Sequence, residues 1–574
     1  MIFYDCEVFK YDWLVVFNDP VNKEETVIVN DAKKLTEFYE QHKKDIWVGY
    51  NNTHYDQYII KGILLGFNPK EVNDFIIEKG EPGWKFSRAF SKIKLINYDC
   101  LGTFRTQRKG LKVLEGFMGS DIRESNVDFN LSRRLTAGEI AETIEYCRHD
   151  VNQTMLVFCE DVAEFQSRLG LIKMYNLPLT NLAKTKAQLA AILLDAKERE
   201  LPDDEFDLIL PDTLRISKYK SVVDWYRQPE NMNYKSHLEI DVAGVPHTFA
   251  WGGLHGAVKQ YSKKGNLVHI DVDSYYPNIM IEYGLMPRST NGSKKFKEIL
   301  DRRIELKRAG DKRQESLKIV LNSTSGVMKS DSSKLYDPRM NNSVCVTGQL
   351  LLLDLNEHLE GHCKLLQSNT DGIIVEYQTE SDLEKIKEIC HEWENRVHMH
   401  LGFTEITELH QRDGNCYFAI TKDGKHKGKT EAKNLSPLDN NLPIVNKALK
   451  AYLTHGILPE VTIRNNNNLI DYQMIVTLQG SFKHIIHEKN GRLEKVHGKT
   501  QRVFASLDES DGAISRTRED TISNHRGNKF GNTPERCFIY NESVVGKPCP
   551  PKLDKQWYVN LVYEKLGKWG VLSV

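Results

Sequence analysis

The start of the chain alternates between hydrophobic and polar positions in the way expected for two β-strands. The segments MIFYDCEVF and YDWLVVF follow each other with a short turn between them. Side chains two residues apart in a strand lie on one face, so Asp5 and Glu7 are predicted to point the same way. Adjacent carboxylates repel each other unless a cation lies between them, and their oxygen atoms suit Mg²⁺ or Mn²⁺. Taken alone, an Asp-x-Glu pair is more often an ordinary surface pair.

Two later segments carry polar residues of matching chemistry. A buried strand leads through a turn into a helix whose start carries Asn52, Tyr55 and Asp56. The segment LTAGEIAETIEYCRHDVNQTMLVF has helical periodicity and begins with a Thr-x-x-Glu capping box. Tyr146 and Asp150 are four residues apart and share one helix face, where the carboxylate can bind a metal and the hydroxyl can orient a water. The alternative is a partly buried tyrosine beside an exposed aspartate.

A second group of segments predicts a strand, a turn and a hairpin. NLVHIDVDSYYPNIMI indicates a strand, a turn at Pro277 and then a helix, with Asp271 near the strand end and Tyr276 at the turn. CKLLQSNTDGIIVEY indicates two strands joined at residues 369–372, with Asp371 at the tip of the hairpin. A lone Thr-Asp-Gly is usually only a turn, and Tyr276 can equally be a core aromatic residue.

Between these segments lie two basic helices. KFKEILDRRIELKRAG is predicted to be a helix that ends at Gly310, and KRQESLKIVLNSTSG is predicted to be a second helix. Their short connection makes them antiparallel neighbours. Each helix places a pair of polar residues four apart on one face: Arg303 with Lys307, and Lys318 with Asn322. This arrangement predicts a cationic groove between the helices that suits a triphosphate. The alternative is a basic helix pair exposed to solvent.

Composition restricts the class of protein without deciding it. The 574 residues are too many for one core and predict several domains. The contents of 40% hydrophobic and 27% charged residues are typical of soluble proteins, with no long apolar run and no signal-peptide pattern at the N-terminus. The ten scattered cysteines favour reduced thiols in the cytosol. The net charge of −1 does not indicate nucleic-acid binding, which depends on local basic surface.

The first three motifs, in their order, resemble the three exonuclease motifs of proofreading DNA polymerases. The resemblance implies an RNase H-like fold in which two metal ions are held by Asp5, Glu7, Asp56 and Asp150. One ion would activate a water molecule and the other would stabilise the leaving 3′-oxygen. Tyr146 would position the water. The single-stranded primer end would be contacted by Asn52, Tyr55, Leu111 and Lys112.

The later motifs resemble motifs A, B and C of family B DNA polymerases, in the right order. The resemblance implies a right-hand polymerase in which Asp271 and Asp371 hold two Mg²⁺ ions, with help from the Val272 carbonyl. Lys318 would contact the triphosphate and protonate the leaving group, beside Asn322. The remaining implied substrate contacts are Arg303 and Lys307 to the β- and γ-phosphates, Tyr276 under the sugar, where it excludes a 2′-hydroxyl, and Tyr417, which matches the tyrosine of a later Lys-x-Tyr motif.

Several positions depart from the family pattern. Motif C usually has two aspartates around a threonine, and Asn369 replaces the first, which predicts lower metal affinity. Ser325 stands where motif B usually has a tyrosine that packs against the new base pair, so nucleotide selection is expected to differ. The upstream Tyr-x-Gly-Gly segment has Ala250 in place of its tyrosine, and Asn415 replaces the lysine of the Lys-x-Tyr motif.

These interpretations predict an α/β and α+β multidomain chain. The expected ranges are an exonuclease domain at 1–185, a connecting segment at 186–250, palm at 251–290 and 336–432, fingers at 291–335 and a thumb at 433–574. Within the thumb range, the polar stretch 508–532 is expected to be a mobile loop.

The predicted function is synthesis of DNA from a primer, with 3′–5′ proofreading, by a compact phage-type enzyme. The expected location is the cytoplasm, or the host cytoplasm if the gene is a phage gene. The expected partners are primer–template DNA, deoxynucleoside triphosphates and a helicase, primase or clamp, with no membrane. Protein-primed phage members of this family carry inserts that bind a terminal protein in the interval corresponding to Asp271–Asp371. Such inserts are not expected in this chain, so no terminal protein is expected. One alternative is a single-strand exonuclease whose polymerase half only binds DNA; another is a non-catalytic replisome protein. A reverse transcriptase would not need the exonuclease motifs.

Overall fold

The computed structural model of the protein describes residues 1–103, 109–519 and 527–571. Two compact units are formed by the chain. Unit 1 comprises Met1–Lys184, Leu435–Ala448 and Ile457–Leu561, and unit 2 comprises Thr185–Asn434, Leu449–Gly456 and Val562–Val574. Most of the range predicted as a thumb therefore belongs to the same compact unit as the N-terminal region.

The strands are numbered here in chain order. They are β1 Ile2–Val8, β2 Trp13–Asp19, β3 Glu24–Val29, β4 Ile46–Gly49, β5 Ile96–Asp99, β6 Leu238–Val242, β7 Val245–Phe249, β8 His255–Ala257, β9 Tyr261–Val272, β10 Lys364–Asn369, β11 Gly372–Glu376, β12 Leu401–Asp413, β13 Cys416–Thr421, β14 His426–Gly428, β15 Met474–Thr477, β16 His484–Lys489, β17 Arg492–Val496, β18 Thr500–Ala505, β19 Asp511–Thr517, β20 Asn528–Lys529 and β21 Cys537–Ile539.

The α-helices are numbered in the same way. They are α1 Ala32–His42, α2 Asp56–Leu64, α3 Pro69–Ile77, α4 Leu111–Met118, α5 Ala137–Glu160, α6 Val162–Met174, α7 Lys186–Leu193, α8 Lys220–Tyr226, α9 Tyr275–Glu282, α10 Lys294–Arg308, α11 Gln314–Gly326, α12 Pro338–Leu359, α13 Glu380–Val397, α14 Pro443–His455, α15 Pro459–Asn465 and α16 Lys555–Lys568. In the described part of the chain, none of these helices combines the length and apolar character needed to cross a membrane.

The N-terminal part of unit 1 is built on a five-stranded mixed sheet. Its order is β3-β2-β1-β4-β5, with antiparallel pairing among the first three strands and parallel pairing of β1 with β4 and of β4 with β5. Alternate residues of β1, among them Tyr4 and Cys6, lie in the hydrophobic core around Trp47. Asp5 and Glu7 occupy the opposite face of the strand, as the alternation predicted.

Helix α5 packs against β1 and begins as predicted. Thr136 and Glu139 form the reciprocal capping box, in which each side chain accepts a hydrogen bond from the backbone N–H of the other. The helix is tied to the strand by the Cys147 thiol, which donates to the Asp5 carbonyl at 3.3 Å. This contact places the third exonuclease-like motif beside the first.

The C-terminal part of unit 1 contains two small antiparallel sheets, of order β15-β18-β21 and β17-β16-β19-β20. The prediction of a mobile loop at 508–532 is wrong over residues 511–517, which form β19 and are mostly buried. Residues 520–526 of that prediction lie outside the described residues. The buried Asp511 at the start of β19 accepts a hydrogen bond from the Ser506 hydroxyl at 2.7 Å. Strand formation is therefore compatible with the polar composition.

A buried arginine joins this region to helix α4. Arg502 on β18 is fully buried, and its Nη2 donates to the carbonyls of Gly116 at 3.2 Å and Ser120 at 2.7 Å. Its Nε donates to Gln473 Oε1 at 3.0 Å. A buried guanidinium needs such acceptors, so these contacts fix the end of α4 to the C-terminal sheets of unit 1.

Unit 2 is built on a nine-stranded antiparallel sheet of order β14-β13-β12-β9-β11-β10-β8-β7-β6. The chain leaves β9 through a turn at Asp273 and Ser274, where Ser274 has φ of 49°. The predicted turn at Pro277 is wrong, because Pro277 lies in the first turn of α9. Proline is tolerated there since the first helical N–H groups need no partner within the helix.

The two predicted basic helices are confirmed as α10 and α11, which pack against each other. Gly310 follows α10 with φ of 68°, the left-handed conformation that suits a helix end. The predicted hairpin is also confirmed, because β10 and β11 pair with Asn369 opposite Gly372 and leave Thr370 and Asp371 at the tip.

Two candidate carboxylate sites

Four carboxylates are gathered in unit 1. Asp5 and Glu7 come from β1, Asp56 is the first residue of α2, and Asp150 lies on α5. The Cys6 backbone N–H donates to Asp56 Oδ1 at 3.1 Å and so holds the start of α2 against β1. Asp56 is 3% exposed, and Glu7 and Asp150 are each 8% exposed.

The carboxylates raise one another's pKa values. Burial raises the pKa of Asp5 well above its usual range, and the charges of Asp56, Glu7 and Asp150 raise it further. Burial likewise raises the pKa of Asp56 to about 7 and that of Asp150 to about 6. Carboxylate oxygens are donors that suit a hard divalent cation, and such a cation would relieve the repulsion among these four groups.

Lys112 brings a positive charge into direct contact with this cluster. Its Nζ donates to Asp150 Oδ1, and to Glu115 Oε1 at 3.1 Å, and lies 4.7 Å from the centre of the Tyr146 ring. Burial alone would lower the pKa of Lys112, but Asp150 and Glu115 raise it above its usual value. The ammonium group is therefore held in its charged form.

The other residues predicted for this site occupy different environments. Tyr146 lies one turn before Asp150 on α5 and is partly buried, and the Tyr55 hydroxyl donates to Asn73 Oδ1 at 2.7 Å. Leu111 is the first residue of α4. Asn52 is completely buried and donates to the Tyr98 carbonyl at 3.3 Å, so it supports the turn before α2 from inside the unit.

Sequence reasoning missed three neighbours of the cluster. The Cys147 thiol lies 3.7 Å from Asp5 Oδ2, and the donor atoms of Asp5, Glu7 and Cys147 all fall within 4.8 Å of one another. Glu115, His149 and Asp150 form a second such group. The only local indication was spacing, because Cys147 is one turn before Asp150 on the same helix.

Two carboxylates meet at the centre of the unit 2 sheet. Asp271 lies near the end of β9 and is paired in register with Gly372 of β11. Asp371 precedes that glycine, and its carbonyl accepts a hydrogen bond from the Val272 N–H at 2.8 Å. Burial raises the pKa of the Asp371 carboxyl, and the charge of Asp271 raises it further. The two carboxylates therefore interact electrostatically.

The turn that carries Asp371 is held by its neighbours. The Thr370 N–H donates to the Leu254 carbonyl at 2.9 Å, and a Cβ at Gly253 would lie 3.1 Å from Thr370 Oγ1. Asn369 donates through Nδ2 to the Gly414 carbonyl at 2.9 Å. The asparagine that replaces the family's aspartate therefore serves as a donor that fixes the turn.

The cationic residues of the basic helix pair lie in two places. Arg303 Nη1 donates to Ser274 Oγ at 3.2 Å, and Lys307 Nζ is 4.0 Å from Asp273 Oδ1, so both approach the turn after β9. Lys318 on α11 is partly exposed and lies 3.6 Å from Glu315 Oε2. Asn322, one turn further on, is exposed. These side chains can change partners when an anion binds.

Two tyrosines also border the second pair of carboxylates. Burial raises the pKa of Tyr276, with smaller effects from Cys345 and Asp371. A Cβ at Gly348 would lie 3.1 Å from Tyr276 Cε1, so only a very small residue fits beside the ring. Burial and the charge of Asp371 raise the pKa of Tyr417 in the same direction. Tyr276 and Tyr417 therefore both lie within electrostatic reach of Asp371.

Comparison with known proteins yields distant similarity to solved structures. No protein-family model matches this chain, and no curated protein matches it. A solved structure described as that of the family B DNA polymerase from the hyperthermophilic archaeon Pyrobaculum calidifontis aligns with 14% identity and a TM-score of 0.45, over 100% of this chain and 78% of that chain. A likeness at this level does not establish a shared fold, so the chemistry of this chain has to be inferred from its own residues.

Proposed function

We propose that the protein is a family B-like, compact phage-type DNA polymerase with 3′–5′ exonuclease activity. The observation that carries the proposal is the pairing of Asp271 with the turn of Asp371 at the centre of one sheet, in a chain that also gathers four carboxylates in unit 1. Each group is drawn from motifs that the sequence predicts to share one site. Both groups consist of the hard oxygen donors that Mg²⁺ or Mn²⁺ prefers.

In the proposed synthesis reaction, the primer 3′-hydroxyl attacks the α-phosphate of a deoxynucleoside triphosphate and pyrophosphate leaves. Asp271, Asp371 and the Val272 carbonyl would hold two divalent ions, which lower the pKa of the hydroxyl and stabilise the leaving group. Lys318 would donate a proton to the pyrophosphate. Arg303 and Lys307 would hold its phosphates, with Asn322 and Tyr417 as further contacts to substrate.

In the proposed proofreading reaction, water attacks the last phosphodiester of a single-stranded 3′-end. Asp5, Glu7, Asp56 and Asp150 would hold the divalent ions, which lower the pKa of the water. Tyr146 would orient that water, and Tyr55, Leu111 and Lys112 would contact the strand. Asn52 would act by holding the loop before α2, since its side chain is buried.

The domain ranges and partners follow from the same proposal. We assign the exonuclease to 1–185, the palm to 251–290 and 336–432, the fingers to 291–335 and the thumb to 433–574. The substrates are primer–template DNA and deoxynucleoside triphosphates, with a helicase, primase or clamp as replication partners and no terminal protein.

Extension of a labelled primer on a DNA template tests the proposal. With Mg²⁺ and nucleotides the primer should lengthen, and with Mg²⁺ alone it should shorten. One observation favours a second candidate, an exonuclease whose unit 2 only binds DNA: Asn369 supplies an amide where the family supplies a carboxylate. Shortening under both conditions would support that candidate, and no change under either condition would contradict both.

Metal binding by the unit 1 carboxylates should strengthen as pH rises. Bound ions require deprotonated carboxylates, and Asp56 and Asp150 have pKa values of about 7 and about 6. Between about pH 5.5 and about pH 7.5, Mn²⁺ affinity should increase about tenfold per pH unit for each proton released. Calorimetry on the Asp271→Asn/Asp371→Asn variant isolates this site. A pH-independent affinity would show that the four carboxylates do not bind the metal together.

Replacing Tyr276 with valine should relax selection against ribonucleotides. The aromatic ring is proposed to exclude a 2′-hydroxyl, and steric rejection of one group changes specificity by about 10- to 200-fold. We expect the ratio of ribonucleotide to deoxynucleotide incorporation to rise at least about tenfold. The matched control is Tyr275→Phe, which removes the hydroxyl that donates to the Gly348 carbonyl at 2.6 Å. An equal effect in both variants would mean that Tyr276 acts only through packing.

A further inference from the structure

Helix α4 carries a fully buried carboxylate next to the proposed nuclease site. Glu115 is 0% exposed and lies three residues after Lys112, so the two side chains share one face of the helix. Glu115 is not among the four proposed metal ligands. A carboxylate buried at this depth is costly unless it is paired and hydrogen-bonded.

The Glu115 carboxylate is fixed on both oxygen atoms. Oε1 accepts from Lys112 Nζ at 3.1 Å, while Oε2 accepts from the Arg123 N–H at 3.3 Å and lies 3.5 Å from His149 Nε2. The lysine, in contrast, has two carboxylate partners, because its Nζ also donates to Asp150 Oδ1. Glu115 is therefore the stationary partner, and Lys112 bridges it to a proposed metal ligand.

We propose that Glu115 is a positioning residue that keeps Lys112 from blocking Asp150. This inference rests on the proposed nuclease function of unit 1. A divalent ion that binds Asp150 must displace the ammonium group of Lys112 from that carboxylate. Glu115 offers the displaced ammonium an anionic partner 3.1 Å away, so Lys112 stays at the site and remains available to the DNA phosphate.

Without the Glu115 charge, Lys112 would have Asp150 as its one remaining anionic partner in this group. The lysine would then compete more strongly with the metal. Glu115→Gln keeps the size of the side chain and removes the charge. Loss of an outer partner of a metal site typically weakens metal affinity 10- to 100-fold, so we expect Mn²⁺ affinity to fall about tenfold.

Two further variants separate this contact from a general loss of negative charge. Glu115→Asp keeps the charge and shortens the side chain by one methylene, which lengthens the 3.1 Å contact with Lys112, so it should weaken Mn²⁺ binding as Glu115→Gln does. Lys112→Met removes the competing ammonium group and should bind Mn²⁺ at least as tightly as the parent. In that background, Glu115→Gln should change the affinity less than about twofold.

The experiment is a calorimetric Mn²⁺ titration of the full chain carrying Asp271→Asn and Asp371→Asn, with and without each variant. The control is Asp471→Asn, which breaks another lysine–carboxylate pair of unit 1 in which the carboxylate is buried, with Lys447 Nζ 2.7 Å from Asp471 Oδ2. This change should leave the affinity unchanged. Thermal unfolding verifies that each variant is folded. If Glu115→Gln does not fold, the Mn²⁺ affinity of Glu115→Asp is compared with that of the parent instead.

Unchanged affinity in Glu115→Gln and Glu115→Asp would overturn the inference, as would an equal loss with or without Lys112. In either case a parent protein that binds Mn²⁺ and shortens DNA would leave the nuclease proposal intact. A parent that binds no Mn²⁺ at this site would overturn the nuclease proposal and the role of Glu115 together.

Discussion

Replacing Asp371 with alanine should abolish primer extension and leave single-strand shortening at the wild-type rate. The carboxylate is one of the two that we propose to hold the metal ions where β9 pairs with β11, so its loss removes half of the proposed anionic metal ligands. Metal ions contribute several kcal/mol to such reactions, so the rate of nucleotide incorporation should fall by at least about 10³-fold. Initial rates on a primed template provide the measurement.

Asp371→Asn is the matched variant for this prediction. The amide has almost the same shape as the carboxylate, and the backbone bond from the Val272 N–H to the residue 371 carbonyl is retained. The same loss in both variants would assign the effect to the charge. Retained extension in Asp371→Asn would mean that the carboxylate is not required, and the polymerase assignment of this turn would be wrong.

Replacing Asp5 with alanine should have the opposite effect. We expect single-strand shortening with Mg²⁺ alone to fall by at least about 10³-fold, because a carboxylate at the centre of the unit 1 cluster is lost. Extension should continue. The charges of Asp56, Glu7 and Asp150 all raise the pKa of Asp5, so its removal relieves repulsion. The thermal midpoint of the metal-free variant should therefore not fall below that of the wild type.

Asp128→Ala provides the control for a lost aspartate in the same unit. Asp128 is exposed in the loop before α5 and accepts from the Asn130 N–H at 2.9 Å. This change should leave both activities intact. Loss of both activities in Asp5→Ala and also in Asp371→Ala would contradict the assignment of two separate sites.

Local patterns were sufficient where the structure depends on neighbours in the chain. Alternation placed Asp5 and Glu7 on one face of β1, the capping box located the start of α5, and the turn residues located Asp371 at the tip of the hairpin. Each of these features involves residues only a few positions apart. The order of the motifs then suggested which side chains come together.

Contacts between distant segments could not be predicted in this way. Lys112 donates a hydrogen bond to Asp150, which is 38 residues away. Glu115 is buried, although a glutamate in a helix is ordinarily exposed. Strand β19 was missed for the same reason, since it is formed by pairing with β16, more than 20 residues earlier in the chain. The turn after β9 was misplaced because proline can begin a helix as well as stop one.

The bonds from Arg502 to helix α4 also concern the order in which the protein is made. Gly116 and Arg502 are separated by 386 residues. At a synthesis rate of about 5–20 residues per second, the ribosome delivers the arginine about 20–80 s after the glycine. During that interval residues 185–434 are synthesised, and the Ser120 carbonyl is without the hydrogen bond that Arg502 later donates. Helix α4 is thus among the last elements to complete its contacts, and a chain that ended before Arg502 would lack these bonds.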